Sequence, residues 1–141
     1  MNGKRKKIYK MNYVLILDDT NSGHFCLRKA ISKEIPHTII ESLYNVSEAL
    51  EYFQNTNKVP DIIFLNFGVK NIFNLDMLRY IKNNKSHENT PVVVIAKESS
   101  ECNIHHIYQT GANEFYNNSL ENLDLDAMLS NLRKKWLSKP S

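Results

Sequence analysis

The chain has 141 residues, enough for one domain that buries a core without disulfides or a structural metal. Its hydrophobic content of 42% and charged content of 23% are those of an ordinary globular protein. Residues 1–12 contain five basic residues and no acidic one, so the net charge of +3, less the +5 of this tail, leaves −2 for the rest. A basic tail in front of a mildly acidic body argues against a folded nucleic-acid-binding face.

The first apolar run is too short for a signal peptide or a membrane span. It covers only Val14–Leu17 before two aspartates interrupt it. Cys26 and Cys102 lie far apart and match no metal-ligand or redox spacing. We therefore expect a cytoplasmic protein with two reduced thiols.

The chain is expected to contain a single folded unit. Residues 1–12 are interpreted as a basic, mobile tail, residues 13–137 as the domain, and residues 138–141 as a second short tail. Met11 stays open as an alternative start. No internal repeat or long linker divides the chain.

Strands are predicted where short apolar runs occur. Three of these runs are continuous and rich in branched residues, which is typical of strands that are buried on both faces. Two weaker runs are expected nearer the edges of the sheet. In chain order the five predicted strands are Tyr13–Leu17, Thr38–Ile40, Ile62–Leu65, Val92–Ile95 and Phe115–Tyr116.

Helices are predicted between the strands from apolar residues at helical spacing. Pro36 ends the first helix, and Asn45 and Asn74 can cap the second and third. Gly111 is placed to end the fourth helix. The fifth helix has the clearest periodicity, at Leu125, Met128, Leu129, Leu132 and Trp136. Five β-then-α units with right-handed crossovers predict a doubly wound α/β domain with a parallel sheet.

Polar residues follow two of the predicted strands, where an open α/β sheet places its functional cleft. Asp18 and Asp19 end the first strand, and Asn66 follows the third. Paired carboxylates suit Mg²⁺, which prefers oxygen ligands. The same residues are also interpretable as a polar turn that caps the first helix, and the sequence leaves both readings open.

Other candidate sites are weaker. His105 and His106 are neighbours on a predicted helix, so their rings point in different directions, and we expect them to face solvent. The four glycines do not cluster, so there is no glycine-rich phosphate loop.

The ordered segments resemble the receiver domain of two-component response regulators from about Tyr13 to Trp136. YVLILDD is similar to the family's first strand with its acidic pair. PDIIFLN and FGVKNIFNLDMLRYIK are similar to its third strand, phosphorylation loop and third helix. PVVVIAKESSE is similar to the fourth strand, and GANEFYNNSL to the fifth. The resemblance implies a flavodoxin-like (βα)5 sheet with the strand order 2-1-3-4-5.

The resemblance also implies roles for the residues at the strand ends. The acidic pair that helps to bind Mg²⁺ corresponds to Asp18 and Asp19. The aspartate that accepts the phosphoryl group corresponds to Asn66, and the hydroxyl residue that follows the phosphoryl group corresponds to Ala96. An amide is a much poorer nucleophile than a carboxylate.

Three further family positions depart from the pattern. The pocket lysine corresponds to Asn118, the proline after it to Ser119, and the aromatic switch residue to Phe115. Lys97 could supply the missing ammonium, although an exposed lysine beside a strand end more often points to solvent. With one carboxylate fewer, we expect no required cofactor and weak Mg²⁺ binding at best.

These departures predict a binding module, not an enzyme, which signals through protein contacts independently of phosphorylation. The family's contact surface is made by helix four, strand five and helix five, where Tyr108, Phe115 and Trp136 are interface candidates. By contrast, Ile104, Met128 and Leu129 are expected to face the core. The expected partner is a histidine kinase or another signalling protein, without nucleic acid or membrane, and homodimerisation stays open.

The ending LRKKWLSKP also resembles the tail of small stand-alone regulators that are associated with bacterial phytochromes. Several alternatives remain at this point. Asp18 or Asp19 could accept phosphate instead, or Asn66 could deamidate to aspartate. A flavin-like ligand is a third reading, because flavin-binding proteins share the doubly wound topology. Contact of the basic tail with nucleic acid or an anionic membrane is a fourth.

Overall fold

The computed structural model describes residues 11–99 and 102–137. Both predicted tails fall mainly on residues outside these ranges, namely 1–10 and 138–141. Asn12, which was assigned to the first tail, is instead a buried residue of the first strand.

The described residues contain five strands at the predicted places, and each is one to three residues longer than predicted. The three longest runs gain a polar or small residue at one end, because main-chain pairing continues past the apolar segment. The strands are β1 (Asn12–Leu17), β2 (Thr38–Leu43), β3 (Ile62–Asn66), β4 (Val92–Ala96) and β5 (Glu114–Asn117).

Five α-helices and one short 3-10 turn follow the strands in the described part of the chain, and the first four helices connect successive strands. The 3-10 turn, Leu120–Asn122, lies between β5 and the last helix. The helices are α1 (Asn21–Glu34), α2 (Val46–Asn55), α3 (Leu75–Asn83), α4 (Ile104–Thr110) and α5 (Leu125–Trp136).

The predicted helix caps are confirmed. The Asn45 side chain accepts a hydrogen bond from the Glu48 N–H, and the Glu48 carboxylate accepts one from the Tyr44 N–H. The Asn74 side chain accepts from the Asp76 N–H. Gly111 ends α4 with φ +123°, in the region that favours glycine.

The sheet is parallel and has the order β2-β1-β3-β4-β5, as predicted. Because all five strands run in the same direction, their carboxyl ends meet at one edge. The order reverses between β1 and β3, so the ends of these two strands flank a cleft at that edge.

Alternate residues of the central strands pack on opposite faces of the sheet. Leu15, Ile63 and Val94 belong to the cluster beneath α2, α3 and α4. Their neighbours Ile16 and Phe64 belong to the cluster beneath α1 and α5. This burial on both faces explains why the central strands are continuous apolar runs.

One prediction about the core is wrong. Ile104 was expected to face inward, but 48% of it is exposed at the first turn of α4. Its neighbour Ile107 fills the core position instead. Met128 and Leu129 are buried, as predicted. Among the described helices, none has both the length and the apolar composition needed to cross a bilayer.

His87, in the connection from α3 to β4, is a buried titratable residue that makes the free energy of unfolding depend on pH. Its ring is 1% exposed and meets the ring of Phe53 edge to face at 5.0 Å. Burial lowers the pKa of His87 below the ordinary histidine value of 6.5. The folded state therefore disfavours the imidazolium, whereas the unfolded state binds the proton freely.

We expect the free energy of unfolding to fall as the pH drops below the unfolded pKa of His87. Between that pKa and the lower folded one, the slope from this group approaches about 1.4 kcal/mol per pH unit. Urea unfolding from pH 7.5 to 5 measures it, and His87→Gln should flatten the dependence. The matched control is His105→Gln at an exposed histidine. Equal slopes for wild type and His87→Gln would contradict the assignment.

Candidate functional site

The cleft at the carboxyl edge brings together the side chains that the sequence singled out. Asp18 and Asp19 follow β1, Asn66 ends β3, and Ala96 ends β4. β3 pairs with both β1 and β4, so Asn66 lies between the acidic pair and Ala96.

Asp18 is the centre of the cleft and is fully buried, with 0% exposure. Its Oδ1 accepts hydrogen bonds from the N–H and the hydroxyl of Thr20, each at 2.8 Å. Its Oδ2 accepts from the amide nitrogen of Asn66, also at 2.8 Å. Both carboxylate oxygens are therefore satisfied within the chain, which a buried charge requires.

Asn66 donates to one neighbour and accepts from another. While its Nδ2 donates to Asp18, its Oδ1 accepts from the N–H of Gly68 at 3.1 Å. The opposite amide orientation would place Oδ1 against the carboxylate and the NH₂ against an N–H donor, so the two partners fix the orientation. The amide therefore presents hydrogen, not oxygen, to the acidic residue.

Asp19 differs from Asp18 in its surroundings. It is partly exposed, yet its Oδ1 is buried and has no hydrogen-bond partner. Gly68, with φ +66°, lies close by, since a Cβ there would be 3.0 Å from this oxygen. Asp19 is thus the acid of the pair that keeps an unused acceptor atom.

His24 anchors the main chain of the cleft, a role that sequence reasoning missed. Its buried Nε2 is 2.8 Å from the carbonyl oxygen of Asp18 and 3.2 Å from that of Leu43. Both partners are acceptors, so Nε2 carries the proton. The ring also contacts the Tyr44 ring, with centroids 4.0 Å apart and the two planes tilted by 38°. His24 therefore ties the ends of β1 and β2 together.

Thr20 and Gly23 were also missed as individual residues, although the polar-turn reading of this segment was correct. Thr20 is the N-cap of α1, and its hydroxyl oxygen accepts from the Gly23 N–H at 3.0 Å. The same hydroxyl donates to Asp18. A threonine just before a helical pattern is a recognisable cap signal, but its second bond depends on the fold.

The structure does not bring the remaining family positions onto Asp18 or Asn66. Ala96 is buried and offers only a methyl group. Asn118 accepts from the N–H of its neighbour Ser119 at 2.9 Å. Lys97 is exposed. Within the described residues, none of the side chains at positions 96, 97, 118 and 119 places an ammonium or hydroxyl group against Asp18 or Asn66.

A polar link beside the cleft also escaped sequence reasoning. Asn117, at the end of β5, accepts from the Glu98 N–H at 2.8 Å and donates to the Glu98 carboxylate at 3.0 Å. It joins β5 to the segment after β4. Nearby, burial and the Glu98 charge raise the pKa of the Cys102 thiol, which therefore stays protonated.

The side-chain oxygen atoms in the cleft do not fit the coordination of a tightly bound divalent cation. Asp18 has no oxygen that is free of internal hydrogen bonds, and Asn66 turns its NH₂ toward the acid. Only Asp19 has an unused oxygen. Across residues 11–99 and 102–137, no three His, Cys, Asp or Glu side chains are grouped as a metal site.

The interface candidates lie around α4, β5 and α5. Tyr108 is 42% exposed, and its hydroxyl accepts from the N–H of Phe115, at 3.1 Å. Phe115 is half-buried against the cluster beneath α2, α3 and α4. Trp136 is half-buried against the opposite cluster and has the Lys135 ammonium 5.6 Å from its ring. Tyr108 is thus the most accessible of the three.

Thr20→Ala should lower the free energy of unfolding by about 1–2 kcal/mol, because it removes a helix cap and one donor to a buried carboxylate. Thr20→Ser keeps the hydroxyl and should lose much less. Urea denaturation of both variants measures the difference. Equal destabilisation by alanine and serine would contradict the role of the hydroxyl.

Comparison with known proteins agrees with this geometry. The fold is similar to the phosphorylated cyanobacterial phytochrome response regulator RcpA, at 18% identity and TM-score 0.76, over 93% of this chain and 99% of that chain. It is also similar to a receiver domain from Colwellia psychrerythraea 34H, at 19% identity and TM-score 0.71, over 87% of this chain and 98% of that chain. The chemotaxis response regulator CheY4 of Vibrio cholerae is similar at 17% identity and TM-score 0.71, over 89% of this chain and 98% of that chain. Identities this low show the fold alone.

No curated protein sequence matches the chain significantly. Residues 14–130, however, match the model of the response regulator receiver domain. This match covers most of the chain, and it includes both the acidic pair and Asn66. The chain therefore belongs to the response regulator receiver domain family of two-component systems.

Proposed function

We propose that this receiver acts as a phosphorylation-independent interaction module in two-component signalling, and that it binds a partner without catalysing a reaction. The observation that carries the proposal is the side chain of Asn66. At the position of the family's phosphoacceptor, it is an amide bonded to Asp18 and Gly68.

The chemistry at Asn66 supports this proposal. Phosphoryl transfer to a receiver needs a carboxylate oxygen as nucleophile. The Asn66 nitrogen is part of a delocalised amide and uses a hydrogen to bind Asp18, while its oxygen accepts from Gly68. Neither atom is a free anionic nucleophile.

The surroundings would not hold a phosphoryl group either. Ala96 has no hydroxyl, and the amide of Asn118 is engaged with Ser119. Across residues 11–99 and 102–137 no ammonium group contacts the cleft residues, so charge on phosphoryl oxygens would meet the carboxylates of Asp18 and Asp19. The same arrangement supports our proposal that Mg²⁺ is not required.

Incubation of the wild type with Mg²⁺ and acetyl phosphate should leave its intact mass unchanged. Asn66 supplies no nucleophile, and Asp18 is enclosed by its hydrogen bonds. Asp19→Asn is the matched control, because Asp19 has the unused oxygen.

An adduct of one phosphoryl group on the wild type would overturn phosphorylation independence. If Asp19→Asn abolished that adduct, the alternative acceptor would be identified as Asp19. Conversion of Asn66 to aspartate would appear as a gain of about one mass unit before any phosphoryl adduct, and peptide mapping would place it.

The proposed partner is a histidine kinase or another signalling protein, and a cytoplasmic location belongs to the same proposal. Ile104 and Tyr108 both expose apolar surface on α4, at 48% and 42%. The Tyr108 hydroxyl also covers the Phe115 N–H at the outer strand of the sheet. These features favour a contact surface on α4 and β5.

Ile104→Asp should weaken partner binding at least tenfold while changing the free energy of unfolding by less than about 0.5 kcal/mol, because the side chain is half-exposed. Pull-down from cells that contain the cognate kinases, followed by titration of the captured protein, measures binding. Val59→Asp is the matched control, since Val59 is equally exposed in the connection from α2 to β3. Similar losses for both variants would exclude a specific α4 surface.

A further inference from the structure

Gly23 lies in the first turn of α1, directly against the carboxylate of Asp18. A Cβ at position 23 would be 1.8 Å from Asp18 Oδ2 and 2.5 Å from its Cγ. Real Cβ atoms do not approach other heavy atoms this closely. The carboxylate therefore occupies the volume that a side chain at position 23 would fill, and we call this volume the Asp18 seat.

We propose that Gly23 is a positioning residue that makes the cleft independent of divalent cations, by providing the seat in which Asp18 is withdrawn against α1. In the seat, hydrogen bonds from Thr20 and Asn66 take the place of metal coordination. This inference deepens the proposed function and rests on it in one respect, namely that Asn66 remains an amide.

The backbone around the seat is held from several sides, so only the Asp18 side chain is free to respond. The Asp18 N–H donates to the Leu43 carbonyl at 3.1 Å, and the Asp18 carbonyl accepts from His24 at 2.8 Å. The Gly23 N–H is fixed by the Thr20 cap. An added Cβ at position 23 must therefore rotate the carboxylate out of the seat.

Rotation would reverse the electrostatics of the cleft. Outside the seat, Asp18 would lose three hydrogen bonds and would lie with Asp19 as an unneutralised pair. Such a pair gains from a cation, whereas the seated carboxylate does not. The apparent affinity for a cation falls in proportion to the population of the protein conformation that can bind it. Because Asp18 lies in the seat, that conformation is rarely populated, and the apparent cation affinity should be low.

Helix energetics alone does not explain glycine at this position. Glycine destabilises a helix relative to alanine, because it loses more backbone freedom on folding. The φ angle at Gly23 is not in the left-handed region, so the backbone conformation does not require glycine either. What remains is the space that the carboxylate of Asp18 occupies.

The test compares Mn²⁺ binding by three proteins: wild type, Gly23→Ala and Ser22→Ala. The Mn²⁺ signal in electron paramagnetic resonance reports free ion. Gly23→Ala keeps the Asn66 amide but expels the Asp18 carboxylate from the seat, so this variant should bind at least tenfold more tightly than the wild type. Ser22→Ala, at an exposed position of the same turn, should leave affinity unchanged. Equal affinities of the wild type and Gly23→Ala would overturn the seat.

A thermal double-mutant cycle tests the same contact without a metal. Gly23→Ala should lower the unfolding midpoint of the wild type, because it expels the carboxylate. In an Asp18→Ala background the seat is empty, and the same substitution should raise the midpoint through helix propensity. The same sign in both backgrounds would overturn the proposal.

The two proposals fail separately. A phosphoryl adduct on wild-type protein would overturn phosphorylation independence, while the sign change in the thermal cycle would still establish the seat. Absence of an adduct together with equal Mn²⁺ affinities would overturn the seat and leave the proposed function standing.

Discussion

A buried carboxylate must be stabilised by hydrogen-bond donors within the fold, and Asp18 imposes this constraint on the functional edge. Its two oxygens take three hydrogen bonds, two from Thr20 and one from Asn66. The two donor residues come from different elements, because Thr20 caps α1 and Asn66 is the last residue of β3. The start of α1 and the end of β3 are therefore both hydrogen-bonded to the carboxylate of Asp18. Loss of either partner would leave this buried carboxylate with fewer hydrogen bonds than it needs.

The parallel sheet makes this arrangement available. Because β1 and β3 are neighbours that run in the same direction, residues 48 positions apart in sequence come within one hydrogen bond of each other. His24 extends the link to β2 through the carbonyls of Asp18 and Leu43. The cleft is thus stabilised from three strands and one helix, and the Asp18 carboxylate at its centre is fully buried.

The sequence predicts the fold well because its signals are local. Continuous branched runs, caps at Asn45 and Asn74, and Gly111 after α4 each depend on near neighbours, and all appear in the structure. The exposure of Ile104 was not predictable in this way, because helical periodicity alone does not say which of two apolar residues faces inward. The role of His24 depends on the main-chain carbonyl of Leu43, which comes near it only on folding. A glycine inside a helical pattern is a visible irregularity, but its cause is the position of the Asp18 carboxylate, which the turn between β1 and α1 sets and the sequence does not show.

The identity of residue 66 also decides how the charge of Asp18 is accommodated. An aspartate at this position would set a second negative charge within hydrogen-bond distance of Asp18, and the two would repel unless a cation or a proton intervened. An apolar residue would leave Asp18 Oδ2 without a donor. Asparagine has nearly the shape of aspartate and replaces the repulsion by a hydrogen bond, so it allows the acidic pair to remain without a cation. The presence of Asp18 and Asp19 therefore does not by itself argue for phosphotransfer, because at least Asp18 has a structural reason to be acidic: it orders Thr20 at the start of α1.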